Sequence, residues 1–480
     1  MKKIFELNKK ASIAILLMIF LVTFSFLGVA RYQKNSALIG DESYYHLRLS
    51  ENIEKNGFEK NGLSDNDLSL ILGQKYYFNL IDFVLSLVKH KIIFMITIPL
   101  LLGLASLIFF YLALSRIGIE NNQVFFSSIL LILSPPFIYI FSSYTVYPFL
   151  VFFNILFLFL YLNNMKKLSF LAIIPTLFIS LPSVFLTSLI LFFIYIFNKK
   201  DKREILISSS LLILTSLIIY FTFYFPNFIP NKLFFFHRNI FSRIISDLGA
   251  SIGISIFHLV LAFIGLLVIK TKEKRFPNYL ILLFALILSI FFNLIMIFFN
   301  FFVCFLASYS LSEIYHKKWE IDVLKNITLI LIIYGLLFSS FSFQTRLISS
   351  SPTIEEINAL AFLKDNPSGV VFSHFSNGYQ IEYFSEKSAM IDQRIYTLNN
   401  GKELLNDSNT IFFSRNIQTT KKLLEKNNIS YIFINKEMKD GLIWDKRNQG
   451  LLFLLDKSTD FKNIYDKDEV EIWQVLSSKN

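Results

Sequence analysis

The sequence predicts an α-helical polytopic membrane protein with a small α/β domain at its C-terminal end, and three observations lead to this prediction. Hydrophobic residues make up 54% of the 480 residues and charged residues only 17%, whereas soluble proteins carry about 25% charged residues. Apolar runs of roughly 20 residues, the length that crosses the hydrocarbon core of a bilayer, recur between residues 11 and 341. From residue 352 onward polar residues become frequent, and short β-like runs alternate with helix-like ones.

The composition excludes several other classes of protein. With 16 Gly and 11 Pro among 480 residues, a collagen-like or disordered chain is excluded. Cys304 is the single cysteine, so an intrachain disulfide and a Cys-rich zinc or iron–sulfur site are excluded as well. The formal net charge of +11 lies mostly in short loops between apolar runs. It therefore indicates membrane topology, and no nucleic-acid partner is expected.

The first apolar run, residues 11–30, follows a start that contains four lysines. A cleaved signal peptide also begins with positive charge, but its apolar core is usually shorter and ends at a small-residue site. We therefore expect an uncleaved anchor. Further apolar runs occupy residues 92–114, 124–141, 146–162, 168–197, 205–225, 252–268, 279–309 and 327–341.

Positive charge in the loops decides how often the longest runs cross. The loops at residues 163–167, 198–204, 270–275 and 316–318 are rich in Lys and Arg, and such loops stay on the cytoplasmic side. They share that side with the N-terminus only if two long runs, residues 168–197 and 279–309, each cross twice. Pro182 interrupts the first run, and Asn293 with Asn300 marks a polar break in the second. The result is about 11 transmembrane helices, with the N-terminus cytoplasmic.

This topology divides the chain into a transmembrane domain, residues 1–341, and an extracytoplasmic α/β domain, residues 342–480. The transmembrane domain has outer loops at residues 31–90 and 226–250. The midsections of the predicted spans contain almost no ionisable residues, although ion-coupled transporters hold such residues there. This argues against a proton-coupled pump and leaves a flippase or a lipid-binding scaffold open.

Two adjacent carboxylates, Asp41 and Glu42, stand at the start of a predicted helix in the first outer loop. Asp41 is a helix-capping residue type, and Asn56-Gly57 ends a helix that runs from about residue 42 to residue 55. A carboxylate at the membrane surface can act as a base for an acceptor or hold a divalent cation against phosphate. The alternative is a helix cap beside a solvated acid.

Helical periodicity also organises the other side chains of this loop. In the predicted helix, Tyr44 and Arg48 share one face, and Tyr45 and Leu49 share another. Farther along, residues 76–88 form an apolar stretch that contains one acid, Asp82. That pattern predicts a second helix, which lies on the membrane surface or dips into it.

The segment Glu42-Ser43-Tyr44-Tyr45-His46-Leu47-Arg48 resembles the Asp-x-(aromatic)-(aromatic)-x-x-Arg signature of oligosaccharyltransferase catalytic subunits. The segment resembles in particular that of the archaeal members, within the GT-C superfamily of membrane glycosyltransferases. Their layout is also similar: one N-terminal span, an acidic first loop, many spans and an outer α/β domain. The resemblance implies a GT-C-like fold and a catalytic centre at Asp41 and Glu42. It also implies substrate contacts from Tyr44, Tyr45, His46 and Arg48.

A second resemblance lies in the predicted outer domain. The segment His374-Phe375-Ser376-Asn377-Gly378-Tyr379 is similar to the family's Trp-Trp-Asp-Tyr-Gly-Tyr segment, which reads the Ser or Thr of a glycosylation sequon. Gly378 and Tyr379 match, but His374-Phe375-Ser376 replaces Trp-Trp-Asp. This departure argues against a sequon acceptor and leaves a lipid, another glycan or a hydroxyl side chain. His374 is either a substrate ligand or base, or a structural loop histidine.

The family's second acidic motif, which contributes to a metal site, is not matched. The corresponding stretch, residues 134–164, contains no Asp or Glu, and Ser142-Ser143-Tyr144-Thr145 stands where the acids are expected. Divalent cations prefer several oxygen ligands. A Mg or Mn ion would therefore depend on Asp41, Glu42 and further ligands from residues 226–250, which we call the third outer loop. The sequence leaves metal dependence open.

The third outer loop, residues 226–250, supplies candidate ligands for phosphate. Arg238 and Arg243 offer forked donors that suit an anionic phosphate group. Asp247 is similar to the acid of a small-x-x-acid motif in the equivalent loop of the family. We expect these three residues to contact substrate; the alternative is that the arginines extend to lipid headgroups.

These patterns predict a membrane glycosyltransferase that takes a sugar or oligosaccharide from a polyprenyl-phosphate-type carrier. It would transfer that sugar to a protein, lipid or glycan acceptor on the extracytoplasmic face, with membrane lipids around it. An acid would orient or deprotonate the acceptor, and an arginine would offset the charge on the leaving phosphate. Two alternatives remain open: a non-catalytic relative that binds lipid-linked sugars, and a lipid or sugar transporter.

Overall fold

A helical membrane part is followed by a C-terminal α/β domain. The computed structural model describes residues 8–34, 38–57, 79–179, 210, 214–215, 218, 244–250, 252–272, 286–290, 293–397, 400–446 and 448–476. In the membrane part these residues form α1 (Lys9–Lys34), α2 (Asp41–Asn56), α3 (Leu80–Ser86), α4 (Lys91–Ile117), α5 (Asn121–Leu133), α6 (Pro135–Ser142), α7 (Val146–Leu162), α8 (Lys166–Leu177), α9 (Ile256–Lys272), α10 (Asn293–His316) and α11 (Asp322–Ser349).

Among the described residues, four helical stretches are long and apolar enough to cross a membrane. They are Lys9–Val29, Lys91–Ile117, Leu294–His316 and Asp322–Lys364. A fifth is added if α5 and α6, which are bent against each other, form one span. The count of about 11 spans stays a prediction, because residues 180–197, most of 205–225 and 279–285 lie outside the described part of the chain.

The apolar run at residues 124–141, predicted as one span, is bent by 60° between α5 and α6. Pro135 and Pro136 begin α6 and have no backbone N–H to continue the hydrogen bonds of α5. Ser134, which precedes them, is extended with φ −77° and ψ 134°, the conformation that a following proline favours. The bend brings the next loop, residues 143–145, beside α2, where Ser43 Oγ lies 3.4 Å from the carbonyl oxygen of Tyr144.

Of the two asparagines expected to mark a polar break, only Asn300 has a described side chain. α10 is described from Asn293 onward and residues 291–292 lie outside the described part of the chain, so the break at Asn293 stays a prediction. Asn300 lies inside α10 and donates a hydrogen bond from Nδ2 to Ser134 Oγ at 2.8 Å. Because a buried amide in a membrane helix needs a partner, this bond ties α10 to the bend between α5 and α6.

The C-terminal domain contains a five-stranded mixed sheet in the order β2-β1-β3-β5-β4. β1 pairs in parallel with β2 and β3, and β5 pairs antiparallel with β3 and β4. The strands are β1 (Val370–Phe372), β2 (Ser388–Ala389), β3 (Ile429–Ile434), β4 (Phe461–Lys467) and β5 (Val470–Val475). The helices are α12 (Ile354–Lys364), α13 (Gly378–Ser385), α14 (Gly401–Phe413), α15 (Ile417–Lys426) and α16 (Gly450–Lys457). The small α/β fold expected after residue 352 is therefore present.

The start of this domain follows α11 directly. Residue 342, the predicted first residue of the domain, lies inside α11, which continues to Ser349. Thr353 then opens α12 with a capping box, in which Thr353 and Glu356 each accept the backbone N–H of the other.

α2 joins the two parts of the molecule. Its predicted extent, residues 42–55, agrees with the observed helix, and residues 76–88 contain the shorter helix α3. Tyr44 and Leu47 of α2 pack with Ile81 and Leu85 of α3 and with Tyr379 of α13 in one apolar cluster. The first outer loop and the C-terminal domain therefore meet at the same end of the helical bundle.

Candidate active site

The start of α2 is fixed by a turn that favours glycine. Gly40 has φ 79° and ψ 138°, a backbone conformation that a side chain strongly disfavours. In the first turn of the helix, Ser43 Oγ donates to the carbonyl oxygen of Ile39 at 2.8 Å. These two features set the direction in which the side chains of Asp41 and Glu42 leave the helix.

Gly40→Ala is expected to destabilise the protein by about 1–3 kcal/mol, the typical cost of a disfavoured backbone conformation. Thermal unfolding in detergent would record this as a lower Tm. Gly28→Ala is the matched control, because Gly28 lies inside α1 and a methyl group added there meets no atom within 4 Å. Equal Tm values for the two variants would contradict the proposed strain at Gly40.

Glu42 belongs to a chain of three ionisable side chains. His46, one turn farther along α2, lies with Nε2 4.0 Å from Glu42 Oε1. Its Nδ1 is 2.6 Å from Oδ1 of Asp82 on α3. His46 and Asp82 are buried, whereas the Glu42 side chain is 33% exposed. Glu42 is therefore the member of this chain that a substrate can reach.

Asp82 is a residue that sequence reasoning did not select for the site. Asn79 fixes the start of α3, the helix that carries Asp82. The side-chain oxygen of Asn79 caps this helix by accepting the N–H of Ile81 at 3.0 Å. Tyr144 holds the same turn from the other side, because its hydroxyl donates to the Ile81 carbonyl oxygen at 3.2 Å. The available signal in the sequence was a lone acid in an apolar stretch, which is typical of a buried charge with a partner.

Burial and charge shift the pKa values along this chain. Burial raises the pKa of Glu42, and the nearby His46 partly offsets this effect. Burial alone would lower the pKa of His46, but the charge of Asp82, their hydrogen bond and the charge of Glu42 outweigh it, so the pKa of His46 is raised. The raised pKa favours a protonated imidazole between the two carboxylates.

Asp41 contacts a different set of partners from Glu42, since adjacent residues of a helix point about 100° apart. Its Oδ1 accepts the backbone N–H of Gln380 at 3.0 Å, and its Oδ2 lies 3.5 Å from Nε2 of Gln393. The residue is only 6% exposed. The alternative in which Asp41 caps its own helix is wrong, because Gly40 is the N-cap residue of α2 and Asp41 contacts α13 instead.

Tyr44 and Arg48 share one face of α2, as predicted, and this face contacts the C-terminal domain. The buried ring of Tyr44 lies 5.7 Å from the ring of Tyr383 and 5.1 Å from that of Phe384. Arg48 Nη1 is 3.6 Å from Glu382 Oε2. Both side chains, predicted to contact substrate, therefore have protein partners on α13.

Arg394, another residue that sequence reasoning missed, lies at the centre of this contact. Its guanidinium is 4.8 Å from the ring centre of Tyr45 and 5.1 Å from that of Tyr379. Its Nε donates to Asp392 Oδ2 at 3.1 Å, and Nη2 lies 3.6 Å from Glu382 Oε2. Burial raises the pKa of Glu382 to about 8, although the neighbouring guanidinium groups act against this shift. No motif marks Arg394, because its partners come from several distant segments.

His374 makes contacts of a structural kind. Its Nδ1 lies 2.7 Å from Ser376 Oγ and accepts the backbone N–H of Ser376 at 3.4 Å, which caps the 3₁₀ helix Phe375–Asn377. Burial lowers the pKa of His374 to about 4, so the imidazole is neutral at physiological pH and can accept this bond. The contacts favour the structural alternative for His374.

The third outer loop is described from residue 244 onward. Asp247 Oδ2 accepts the backbone N–H of Ile256 at 2.7 Å, and Oδ1 accepts the hydroxyl of Ser339 at 2.6 Å. Both oxygens thereby hold the start of α9 against α11. Arg238 and Arg243 lie outside the described residues, so their contact with phosphate stays a prediction.

Solved structures match this chain in fold, although no family model and no curated protein matches its sequence. The apo oligosaccharyltransferase of Archaeoglobus fulgidus superposes with a TM-score of 0.62 at 13% identity, covering 98% of this chain and 75% of that one. Its complex with Zn and sulfate gives 0.61 at 14% identity, with 97% and 73% covered. Archaeal AglB from the same organism, with an inhibitory peptide and a dolichol-phosphate, gives 0.56 at 12% identity, with 96% and 74% covered.

The chain has the same fold as these oligosaccharyltransferase structures. This confirms the fold that the segments at residues 42–48 and 374–379 predicted by resemblance. At identities of 12–14% the likeness shows the fold alone. The roles of individual residues must therefore be argued from the contacts of this chain.

The sequence leaves open whether the protein binds a divalent cation, and the donor atoms of the described residues can be tested for such a site. Asp41 Oδ1 already accepts the N–H of Gln380. The side chain one helical turn after Glu42 is that of His46 and not a second carboxylate. Within the described ranges, no three His, Cys, Asp or Glu side chains are grouped so that they could hold a metal ion. The described residues alone do not fit a divalent cation, and the Mg or Mn ion stays a prediction.

The segment that replaces the second acidic motif is used to hold the site together. Ser143 Oγ donates to the carbonyl oxygen of Tyr139 at 2.9 Å. Thr145 caps α7 by accepting the N–H of Tyr147 at 3.3 Å. Arg31, at the end of α1, donates to the Ser142 carbonyl oxygen. These contacts give residues 142–145 a supporting role beside Gly40 and α2.

Proposed function

We propose that the protein is a membrane glycosyltransferase that transfers a sugar or oligosaccharide from a polyprenyl-phosphate-type carrier to an extracytoplasmic acceptor. The observation that carries the proposal is the environment of Glu42. This carboxylate stands at the position of the family's signature acid, is one-third exposed and has His46 and Asp82 behind it. The GT-C fold supports the transferase class, and the neighbour solved with a dolichol-phosphate and a peptide supports a lipid carrier and an acceptor as partners.

In the proposed reaction the Glu42 carboxylate takes a proton from the acceptor's O–H or N–H group. The acceptor atom bonds to the anomeric carbon of the sugar, and the bond from that carbon to the carrier's phosphate oxygen breaks. The phosphate leaves with the electron pair, so the free carrier, polyprenyl phosphate or diphosphate, is the second product. Cationic His46, 4.0 Å away, favours the ionised form of Glu42 before transfer, and Arg238 and Arg243 offset the charge on the phosphate.

The site is proposed to face the extracytoplasmic side. Lys- and Arg-rich loops between the spans stay in the cytoplasm, which places the first outer loop on the opposite side. The contact of α13 with α2 supports the same side for the C-terminal domain. The integral membrane protein would therefore have a cytoplasmic N-terminus and an extracytoplasmic C-terminal domain.

The acceptor is proposed to be something other than an Asn-x-Ser/Thr sequon. The polar groups of the segment that replaces Trp-Trp-Asp bond to one another: His374 to Ser376, and Asn377 Nδ2 to Ser373 Oγ at 3.1 Å. This arrangement supports a lipid, a glycan or a hydroxyl side chain as the acceptor.

The acidic limb of the pH–rate profile is expected to depend on His46. Glu42 must be ionised to accept a proton, and its raised pKa moves the loss of rate to a pH above the ordinary glutamate value of about 4.3. His46→Gln removes a positive charge that lowers the Glu42 pKa, so its acidic limb should move to higher pH. Asp82→Asn should move the limb less than His46→Gln, because it weakens the charge of His46 but also removes a carboxylate that itself raises the pKa of Glu42. A His46→Gln profile that coincides with wild type would show that His46 does not act through Glu42.

The proposed function is tested with purified protein in liposomes that contain native lipid-linked sugars. Release of free polyprenyl phosphate, followed by mass spectrometry, is expected only when protein and acceptor are both present; a parallel sample with a chelator tests the predicted cation. Binding of the carrier without release would overturn the proposal in favour of a non-catalytic relative. Movement of sugar into sealed vesicles without a covalent product would overturn it in favour of a transporter.

A further inference from the structure

We propose that Asp41 docks the C-terminal domain onto the first outer loop: its carboxylate caps α13 from a distant part of the chain and holds that helix beside Glu42. Asp41 is then a positioning residue, and the chemistry belongs to Glu42 alone. The functional part of this inference rests on the proposed transferase activity, whereas the docking contact stands independently of it.

The N–H groups at the start of α13 need a hydrogen-bond acceptor from outside the helix. The N–H groups in the first turn of a helix have no acceptor within the helix, and a side chain at the N-cap usually supplies one. Asn377 is the N-cap residue of α13, but its side chain makes no capping bond. Its Nδ2 donates to Ser373 Oγ at 3.1 Å and lies 3.7 Å from the sulfur of Met438. α13 therefore lacks a local cap of the usual kind.

Asp41 supplies the missing acceptor. Its Oδ1 accepts the N–H of Gln380, the third residue of α13, at 3.0 Å. This is the backbone group that an N-cap side chain ordinarily satisfies. A carboxylate there also interacts favourably with the positive end of the helix dipole. The contact joins residues 339 positions apart in sequence, so the cap connects two parts of the fold.

The contacts around this cap make one continuous docking surface. About two turns farther along α2, Arg48 Nη1 lies 3.6 Å from Oε2 of Glu382 on α13. Beside it, the ring of Tyr44 packs on Tyr383 and Phe384. Asp41 is at the end of this surface that lies nearest Glu42, so loss of the cap would release the start of α13 first.

The contacts of Asp41 argue that its side chain is used for hydrogen bonding rather than for proton transfer, because it is only 6% exposed and both of its oxygens face donors of the C-terminal domain. Burial raises the pKa of Asp41 well above its ordinary value, and the carboxylates of Asp392 and Glu382 add to this effect, while the N–H groups of α13 act against it. A neutral amide at this position would keep the oxygen acceptor and would avoid the repulsion. Asparagine, itself a favoured capping residue, should therefore replace Asp41 in its docking role.

The experiment compares Asp41→Asn with Asp41→Ala in the full chain, reconstituted in lipid nanodiscs. Hydrogen–deuterium exchange of the amides of Tyr379 and Gln380 is the first readout. Asp41→Ala should accelerate this exchange by about tenfold, in line with the loss of one helix cap, while Asp41→Asn should exchange like wild type. Glu42→Gln is the control and should leave the exchange unchanged.

Sugar transfer is the second readout and separates docking from catalysis. Asp41→Asn should keep transfer within a few-fold of wild type, and Asp41→Ala should lower it. If Asp41→Asn loses transfer as completely as Glu42→Gln while its exchange stays at the wild-type rate, Asp41 belongs to the reaction and the proposal is overturned. Wild-type exchange in Asp41→Ala also overturns it. Protein that shows the expected exchange but transfers no sugar even as wild type would support the docking contact and reject the proposed function.

Discussion

Glu42→Gln is expected to reduce sugar transfer by roughly 10²–10⁴-fold, the usual contribution of a general base. Glutamine keeps the size of the side chain and a polar atom near His46, but its amide cannot take the proton of the acceptor. The carrier and the acceptor should still bind. The loss should therefore appear in kcat much more than in KM, and single-turnover release of free carrier would measure it.

Glu54→Gln provides the matched control for this variant. Glu54 lies on the same helix, its side chain is 62% exposed, and it pairs with Lys91. Glu54 lies about three turns of the helix from Glu42, so Glu54→Gln should transfer sugar at the wild-type rate, although Lys91, which is only 9% exposed, loses its carboxylate partner. If the two variants turn over equally, Glu42 is not the base, and the likeness of residues 42–48 to the signature is structural only.

The parts of the fold that could be predicted from the sequence depend on local signals. The apolar run at residues 146–162 is α7 to the residue, because Thr145 caps one end and polar Asn163 and Asn164 follow the other. α2 was predicted within one residue at each end, since Asn56-Gly57 stops it. The bend at Ser134 is also a local effect, but two consecutive prolines do not indicate by what angle the apolar run will bend.

The parts of the candidate site that could not be predicted depend on contacts between distant segments. The sequence predicted a catalytic centre at both Asp41 and Glu42, and their partners, Gln380 for Asp41 and His46 for Glu42, separate their roles. Asp82 gained its role from the packing of α3 under α2. Tertiary packing, rather than residue type, decides which acid of this loop remains exposed.

Arg394→Met is expected to destabilise the protein by about 3–5 kcal/mol, the cost typical of removing one partner of a buried ion pair. Methionine fills much of the aliphatic volume of the arginine. It leaves the buried carboxylates of Asp392 and Glu382, whose side chains are 2% and 4% exposed, without the guanidinium between them. The rings of Tyr45 and Tyr379 also lose the cation that they share.

Thermal unfolding in detergent should show this as a fall in Tm on the order of 10 °C. Arg415→Met is the control, because Arg415 of the same domain also lies over one aromatic ring, that of Phe453 at 5.1 Å, but is exposed. Adding Asp392→Asn to Arg394→Met should recover part of the loss, since the two side chains are directly coupled. If Arg394→Met and Arg415→Met lower Tm equally, the guanidinium between the tyrosines contributes no more than a surface contact. The C-terminal domain would then be held to α2 by the apolar packing of Tyr44 and by the cap from Asp41.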